Sequence, residues 1–378
     1  MTRRICYISG TRADFGLMRS TLVAIASDPG MELKVLATGM HLDRAYGHTV
    51  DEVEAAGLQL LASVPVSGGE PSGATMARDI GLMIGGFVEA LEHERPDLVL
   101  LLGDRGEMLA GAIAASHLNI PVAHIAGGDR SGTIDEPVRH AVSKLSHIHL
   151  VSTKESRERL IRMGERDDHV HALGTPSLDD LLAMPVPDAA GTRAKLGLAA
   201  DKPYLLLIFH PVLQDAERAG ADCATILKGL RSYPHHIVAL APNSDAGSRA
   251  VLATLQAATI ADQRCVLKTH LPRELYIAAL AHCDALVGNS SSGIVEAASF
   301  GVPVLNIGPR QMFRERNANV IDVEFNADHI ASAVERSVSI GRYPIANVYG
   351  DGQSGARIVE LLRTVELTPE LLRKINSY

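Results

Sequence analysis

The chain has 378 residues, of which 46% are hydrophobic and only 4% aromatic, and its formal net charge is −8. At about 150 residues per domain, this length predicts two domains. The acidic balance and the lack of a basic run exclude a typical nucleic-acid-binding surface. No apolar run approaches the roughly 20 residues that span a bilayer. We therefore expect neither a nucleic-acid partner nor a membrane partner.

The cysteines and the N-terminus indicate a cytoplasmic location. Cys6, Cys223, Cys265 and Cys283 form no CxxC pair, which favours reduced, buried thiols. The first apolar segment, ICYISG, begins almost at the N-terminus, so no signal peptide is expected.

Short apolar runs alternate with helical segments along the first half of the chain. Strands are predicted at 4–9, 32–38, 98–102, 121–125, 147–151 and 169–172, with helices from residue 17, at 75–93 and at 153–163. This βα alternation is typical of a doubly wound parallel sheet. The polar stretch 67–75 between two of these segments is interpreted as a mobile lid or a partner contact.

A proline-containing linker at 184–188 separates the two halves. Strands then resume at 204–209, 236–241, 265–268, 285–287 and 302–306. The fold class predicted is α/β, with two Rossmann-like domains. We expect an N-terminal domain at 1–184, a C-terminal nucleotide-binding domain at 193–355, and a helical segment at 356–378 that packs back across the boundary.

Charged side chains follow two neighbouring predicted strands, 98–102 and 121–125. They are Asp104, Arg105, Asp129, Arg130, Asp135, Glu136, Arg139 and His140. Ligands of open α/β sheets bind beyond the carboxyl ends of the strands, so this group indicates a binding crevice. An aspartate at such a position can also simply cap the next helix, but the whole group favours a functional site.

Two further strand ends have the composition of anion sites. The turn GTRADFG (10–16) offers backbone N–H groups and the Arg12 guanidinium, although no GxGxxG fingerprint supports NAD binding. The segment GNSSSG (288–293) precedes a predicted helix from Ile294, and its hydroxyl and N–H groups suit a diphosphate. Glu296 lies one turn further on, where a carboxylate can hold ribose hydroxyls. A serine-rich helix cap without a ligand is the alternative.

The histidines at 147 and 149, and at 169 and 171, alternate as on one face of a strand. Without a third clustered ligand, structural histidines are favoured over a metal site.

Eight segments in this order resemble the UDP-N-acetylglucosamine 2-epimerases, and specifically the hydrolysing branch of sialic acid and legionaminic acid biosynthesis. They are GTRADFG (10–16), LGDR (102–105), HIAGGD (124–129), SGTIDEPVRHAVSKLSH (131–147), FHPV (209–212), PNSDAG (242–247), GNSSSG (288–293) and FGVPVLNIGPRQ (300–311). The resemblance implies the GT-B-like arrangement, in which the two domains face a central cleft that holds the sugar nucleotide. It also implies a homo-oligomer, a dimer or a tetramer, and no metal or other cofactor.

The resemblance implies a role for each matching residue. The residues expected to bind the nucleotide and its diphosphate are Arg12, Arg105, His210, Asn243, Ser290, Ser291, Glu296 and Arg310. Those expected around the sugar are Asp104, Asp129, Asp135 and Glu136, with Arg139 and His140 behind them. His210 is also a candidate for proton transfer, the alternative being that it only orients phosphate.

The implied reaction has two steps: loss of UDP from C1 with removal of the C2 proton, then addition of water to the resulting glycal from the other face. The products are UDP and a free 2-epimeric sugar resembling N-acetylmannosamine. One position departs from the broader family, which often has a glutamate where this chain has Ala126. Asp129 is the nearest acid that could replace it as the base.

Three alternatives stay open. They are a sugar-nucleotide hydrolase without inversion at C2, a GT-B glycosyltransferase, and a non-catalytic sensor of sugar nucleotides. The sequence also leaves open whether the sugar carries a second acetamido group and whether the base is guanine instead of uracil.

Overall fold

The computed structural model describes residues 2–44, 47–68, 70 and 72–377, and its strands form two parallel sheets. The first sheet has seven strands in the order β3-β2-β1-β4-β5-β6-β7. These strands are β1 (Arg3–Ser9), β2 (Met31–Thr38), β3 (Gln59–Val64), β4 (Leu98–Leu102), β5 (Val122–Ile125), β6 (Ile148–Val151) and β7 (Val170–Ala172).

Helices cover both faces of this sheet. They are α1 (Arg12–Ser27), α2 (Val50–Ala55), α3 (Gly73–Glu94), α4 (Gly106–His117), α5 (Asp135–Leu145), α6 (Lys154–Arg162) and α7 (Ser177–Ala183). Strands β4 to β6 are almost completely buried, as expected for a parallel sheet that is covered on both faces, and β4 is a continuous apolar run.

The second sheet has six strands in the order β10-β9-β8-β11-β12-β13. They are β8 (Tyr204–Ile208), β9 (His236–Leu240), β10 (Cys265–Lys268), β11 (Ala285–Gly288), β12 (Val304–Ile307) and β13 (Val320–Val323). The helices are α8 (Ala189–Leu196), α9 (Ala219–Arg231), α10 (Ser248–Ala261), α11 (Arg273–His282), α12 (Ser291–Val295), α13 (Ala327–Ile340) and α14 (Ser354–Thr364).

Both sheets contain a point at which the strand order reverses. In the first sheet β1 lies between β2 and β4, and in the second sheet β8 lies between β9 and β11. The connections leave such a point in opposite directions and open a crevice at the carboxyl ends of the strands, where ligands of this fold bind.

The last helix packs on the first sheet. Ile358 and Leu362 of α14 lie in one buried cluster with Phe15, Met18 and Leu22 of α1. Conversely, two leucines of α7 lie in a core cluster of the second sheet. The predicted boundaries at 184, 193 and 355 are not tested by these contacts and stay predictions.

The α/β prediction is confirmed, and several details differ from it. Helix α1 begins at Arg12, whereas a helix from residue 17 was expected. The edge strands β3 and β13 were not predicted, because most of their residues are only partly buried and their apolar signal is weak. Helix α12 begins at Ser291, whereas a helix from Ile294 was expected. Gly69 and Pro71 of the predicted lid lie outside the described residues, and α3 begins within that stretch, at Gly73.

Candidate active site between the two sheets

The reversal points of both sheets place sequence-predicted residues together. Arg12 follows β1, and Asp104 and Arg105 follow β4, while His210 follows β8 and Asn289 follows β11. The Arg12 guanidinium donates a hydrogen bond of 2.7 Å to the Thr269 carbonyl beyond β10. The two crevices therefore face each other across one cleft.

In the turn after β1, backbone N–H groups that were expected to bind an anion form hydrogen bonds within the protein. The carboxylate of Asp14 accepts hydrogen bonds from the N–H groups of Gly10 and Thr11, and the Thr11 hydroxyl accepts one from the Asp14 N–H. This capping box satisfies N–H groups that were expected to bind an anion. The Arg12 side chain is the charged group of this turn that stays a candidate for the nucleotide.

Asn289 clamps the ends of β8 and β11. Its side chain accepts a hydrogen bond from the His210 N–H and donates one to the His210 carbonyl, both at 2.8 Å. Gly288 lets the strands approach, since its φ is +130° and a Cβ there would lie 2.0 Å from the Ile208 carbonyl oxygen. This clamp fixes the position from which the His210 imidazole projects.

His210 is held as a neutral imidazole with a defined tautomer. Burial, together with the positive charge of Arg310, lowers the pKa of His210 to about 3. Its Nδ1 accepts a hydrogen bond of 3.2 Å from the Asn243 N–H, so the ring proton is on Nε2. A neutral ring of this kind is a hydrogen-bond donor at neutral pH and does not add a full charge.

Arg105 and Arg310 are two of the cations that line the cleft. Arg105 contacts Glu107 of its own domain at 3.3 Å and Asp245 of the second domain at 3.4 Å. Arg310 donates to the Asn289 carbonyl at 3.0 Å and lies 3.6 Å from a carboxylate oxygen of Asp135. Guanidinium groups at facing strand ends suit a diphosphate.

The other residues predicted to bind the nucleotide lie beside the arginines or beside the Asn289 clamp. Asn243 hydrogen-bonds the same Asp245 that Arg105 contacts, which brings Asn243 into the arginine cluster. Ser290 caps α12 by accepting from the Ser292 N–H. Ser291 is the first residue of α12, beside that cap. Their placement therefore keeps two hydroxyl groups next to the Asn289 clamp.

Glu296 is not part of this cluster of side-chain contacts. It is only 2% exposed, and its carboxylate accepts a hydrogen bond of 2.6 Å from Arg273. Glu296 was expected to hold ribose hydroxyls, and its pairing with Arg273 was not predicted. A ribose hydroxyl would thus meet a carboxylate that is already neutralised by a buried cation.

The acids of the first domain surround a buried arginine. Arg139, which is 1% exposed, forms an ion pair with Asp104 and donates a 2.9 Å hydrogen bond to the Asp129 carbonyl. The Asp129 carboxylate accepts from the Ser156 hydroxyl at 2.8 Å and from Arg314 at 2.7 Å. Both oxygens of Asp129 are thus occupied, which argues against the expected use of Asp129 as the base.

Asp135 and Glu136 begin α5 beside these groups. Glu136 accepts a hydrogen bond of 2.8 Å from the Ser131 N–H and lies 3.6 Å from Nε2 of His140. Asp135 faces Arg310, as described above. Both carboxylates are partly exposed; the partners of Glu136 lie in its own domain, whereas Asp135 faces Arg310 of the second domain.

Ala126 occupies the position at which the family often has a glutamate. It directly follows β5, and its φ of +61° is unusual for a residue other than glycine. Its N–H donates to the Leu150 carbonyl at 3.0 Å, which anchors the turn to β6. A methyl group at this position supplies no acid, so proton chemistry depends on the neighbouring carboxylates.

Sequence reasoning missed Arg314, Asp245, Glu107 and Arg273, the partners that hold predicted site residues. Arg314 had a usable signal: the run FRER (313–316) begins two residues after the segment that supplied Arg310. Asp245 and Glu107 lie in or near quoted segments, whereas Arg273 does not, and the pairing of all three depends on how the elements meet.

The histidines at 147 and 149 have protein partners. His147 accepts a hydrogen bond from the Val122 N–H, and His149 contacts Glu165. Within residues 2–44, 47–68, 70 and 72–377, no three histidine, cysteine, aspartate or glutamate side chains are grouped to hold a metal. None of the described helices is long and apolar enough to cross a membrane.

The sequence is similar to known proteins over nearly its whole length. A family model described as UDP-N-acetylglucosamine 2-epimerase matches residues 23–363. The chain is 43% identical over 378 residues to a UDP-N,N'-diacetylbacillosamine 2-epimerase (hydrolyzing) from Legionella pneumophila, with 100% of both chains covered. It is 34% identical over 370 residues to a UDP-N-acetylglucosamine 2-epimerase from Neisseria meningitidis serogroup B, with 96% of each covered.

The fold also matches solved structures. The UDP-GlcNAc 2-epimerase from Methanocaldococcus jannaschii, in complex with UDP-GlcNAc and UDP, aligns with a TM-score of 0.80 at 20% identity. The alignment covers 95% of this chain and 99% of that one, and it confirms the expected GT-B-like arrangement of two α/β domains. Since the family model and the relatives span nearly all of the sequence that builds this cleft, the chain belongs to the UDP-N-acetylglucosamine 2-epimerase family.

Proposed function

We propose that this chain is a hydrolysing 2-epimerase, which converts a UDP-linked 2-acetamido sugar into UDP and the free 2-epimer. One observation carries the proposal: the carboxylates of the first domain meet the arginines of the second across one cleft, as in the contact of Asp135 with Arg310. Acids beside the sugar and cations beside the diphosphate are what an elimination of UDP needs.

The first step breaks two bonds. A base takes the proton from C2, the C–H electron pair forms the C1–C2 double bond, and the C1–O electron pair leaves with UDP. Arg105, Arg310 and the Nε2–H of His210 lie where they can stabilise the charge that develops on the diphosphate. In the second step water adds its hydroxyl to C1 and a proton to C2 from the opposite face.

Asp104 is the base in this proposal. One of its carboxylate oxygens faces Arg139 at an ion-pair contact and Arg314 at 3.9 Å. The other oxygen accepts no hydrogen bond from the described residues, and the side chain is 21% exposed. Asp135 and Glu136 are then the candidates to return a proton on the other face, since both lie at the start of α5 with partial exposure.

The relatives support the choice of substrate to test first. The Legionella relative is named for UDP-N,N'-diacetylbacillosamine, and the less similar Neisseria relative for UDP-N-acetylglucosamine. We therefore propose a UDP-linked diacetamido sugar as the preferred substrate, with UDP-N-acetylglucosamine as the comparison.

The test is proton and phosphorus NMR of the full chain with each sugar nucleotide in D2O. Free UDP together with a free 2-epimer deuterated at C2 is the expected result. A UDP-linked epimer would indicate a non-hydrolysing epimerase instead. An unepimerised sugar without deuterium would indicate plain hydrolysis, and turnover only with an added acceptor would indicate a glycosyltransferase.

A further inference from the structure

One arginine of the second domain reaches into the acids of the first. Arg314 follows β12 in the loop that also carries Arg310, and its side chain is 12% exposed. Its Nη1 lies 2.7 Å from Asp129 Oδ2, and its Nη2 lies 3.9 Å from Asp104 Oδ2. It is thus the nearest cation of the second domain to the proposed base.

The contacts of Arg314 continue into a chain of charged groups. Asp129 is 5% exposed, and Ser156 occupies its other oxygen. The main-chain oxygen of Asp129 accepts from Arg139, and Arg139 pairs with Asp104. Through this chain the position of Arg314 bears on the orientation of Asp104 by way of Asp129 and Arg139.

The contact exists only when two loops from different domains are docked. The Gly132 N–H donates to the Arg310 carbonyl at 3.4 Å, and the Arg130 guanidinium lies 4.7 Å from the centre of the Phe313 ring. Glu315, next to Arg314, hydrogen-bonds the hydroxyl of Thr153. Separation of these loops would withdraw Arg314 and leave Asp129 with one partner fewer.

We infer that Arg314 is a positioning residue that docks on Asp129 when the cleft closes and thereby fixes Asp104 in its reactive orientation. A buried carboxylate needs a paired cation, so Asp129 has its ion pair with Arg314 only when the cleft is closed. Because Arg314 comes from the other domain, the acids are assembled only after the domains meet. The inference rests on the proposed function for the reaction that Asp104 performs.

The test is a double-mutant cycle of Arg314→Gln and Asp129→Asn in the full chain, with Arg314→Lys as the conservative variant. We expect Arg314→Gln to lower kcat by about 100-fold, because a misplaced catalytic group costs about that much. We expect the Kd for UDP to change little. In the Asp129→Asn background, Arg314→Gln should have little further effect, since the two residues act as one unit. Arg314→Lys should recover part of kcat, because lysine keeps the charge but lacks the planar fork.

Arg316 provides the matched control. It lies in the same loop, but its hydrogen bonds go to Gln311, Met312, Arg314 and Asp322 of its own domain. We expect Arg316→Gln to reduce kcat less than Arg314→Gln does.

An equal loss would assign the effect to loop order, and additive losses in the cycle would show that Arg314 does not act through Asp129. A weakened Kd for UDP with unchanged kcat would make Arg314 a nucleotide ligand. Each of these three results would overturn the inference.

Small-angle scattering separates this inference from the proposed function. With UDP bound, Arg314→Gln and Asp129→Asn should both have a larger radius of gyration than the unchanged chain. If the unchanged chain consumes no UDP-sugar, the proposed function fails, and the scattering still decides whether the pair holds the cleft closed. An unchanged radius in both variants would contradict the role of Arg314 in closure.

Discussion

At the scale of single residues, the acids of the cleft differ in how many of their carboxylate oxygens accept hydrogen bonds. Asp129 has both carboxylate oxygens engaged, whereas one oxygen of Asp104 is free of hydrogen bonds from the described residues. An acid whose two oxygens are both held by protein donors cannot reach a substrate proton without losing one of those contacts. Because Ala126 supplies no acid, Asp104 is the base that we propose.

Asp104→Asn is predicted to abolish turnover and to leave UDP binding intact. Asparagine has the shape of aspartate and still accepts a hydrogen bond from Arg139, but it cannot take the C2 proton. We expect kcat to fall by at least about 100-fold, the lower range for general-base loss. UDP release and the Kd for UDP are the two measurements.

Asp97→Asn is the control for this prediction, since Asp97 lies just before the other end of β4 and bonds Arg4. It should retain turnover. Near-normal kcat for Asp104→Asn would remove Asp104 from the chemistry.

Arg310→Ala is predicted to weaken nucleotide binding more than it lowers kcat. The guanidinium lies beside the Asn289 clamp, and loss of a charged hydrogen bond costs about 1.5–3 kcal/mol, or roughly 10- to 100-fold in Kd. Calorimetric titration with UDP measures it. Arg363→Ala, in an exposed pair on α14, should have no effect. An unchanged Kd for Arg310→Ala would contradict the nucleotide assignment in the second domain.

At the scale of elements, two loops determine how closely the domains meet. Gly132 lies against Pro309, and a Cβ on Gly132 would be 2.3 Å from the Pro309 carbonyl oxygen. No heavy atom fits that gap, so any side chain at 132 pushes the loops apart. The loop after β5 is thus shaped for contact with the loop after β12.

Gly132→Ala is therefore predicted to lower kcat/KM by about 10- to 100-fold, because a displacement of about 1 Å disturbs the catalytic geometry. Thermal unfolding should change little, since neither domain core contains the residue. Gly81→Ala in α3, where an added Cβ meets nothing within 4 Å, is the control and should leave kcat/KM unchanged. Full activity of Gly132→Ala would show that the loops do not need to dock.

At the scale of the whole molecule, the C-terminal segment is tied to the first domain by a buried ionic cluster. Glu165 is 2% exposed and contacts Lys374 at 2.6 Å, Lys144 at 2.7 Å and His149 at 2.9 Å. Burial by itself would raise the pKa of Glu165, but hydrogen bonds from these three groups lower it to about 2. Glu165 thus links Lys374, near the end of the chain, to Lys144 and His149 of the first domain.

Glu165→Gln is predicted to lower the free energy of unfolding at pH 7 by about 3 kcal/mol, because two lysines lose their buried partner. The folded-state pKa of Glu165 lies below its ordinary value. Its stabilisation is therefore complete above about pH 4.5 and is lost as the pH falls towards 2. Urea unfolding should show the difference between variant and unchanged chain narrowing from pH 5 to pH 3.

The exposed Glu360, paired with Arg363, gives the control Glu360→Gln, which should alter stability little at any pH. A difference for Glu165→Gln that does not vary with pH would contradict the depressed pKa of Glu165.

The sequence by itself determined the two α/β halves and the strand ends that bear the site. Apolar runs that end in glycine-containing polar loops are local signals, and the turn motifs carry Arg12, Asp104, His210 and Arg310 in contiguous segments. A parallel sheet then places those loops at one edge without further information. Edge strands β3 and β13 were not predicted because their residues are partly exposed, which weakens the apolar signal of a strand.

Only the tertiary structure decided which charges are paired. The contacts of Arg314 with Asp129, Arg273 with Glu296 and Arg105 with Asp245 join residues 23 to 185 positions apart in the chain. No local pattern encodes such a pairing, because it depends on how helices and domains pack. This pairing distinguishes Asp129, whose two carboxylate oxygens accept hydrogen bonds, from Asp104, which has one oxygen without a hydrogen bond from the described residues.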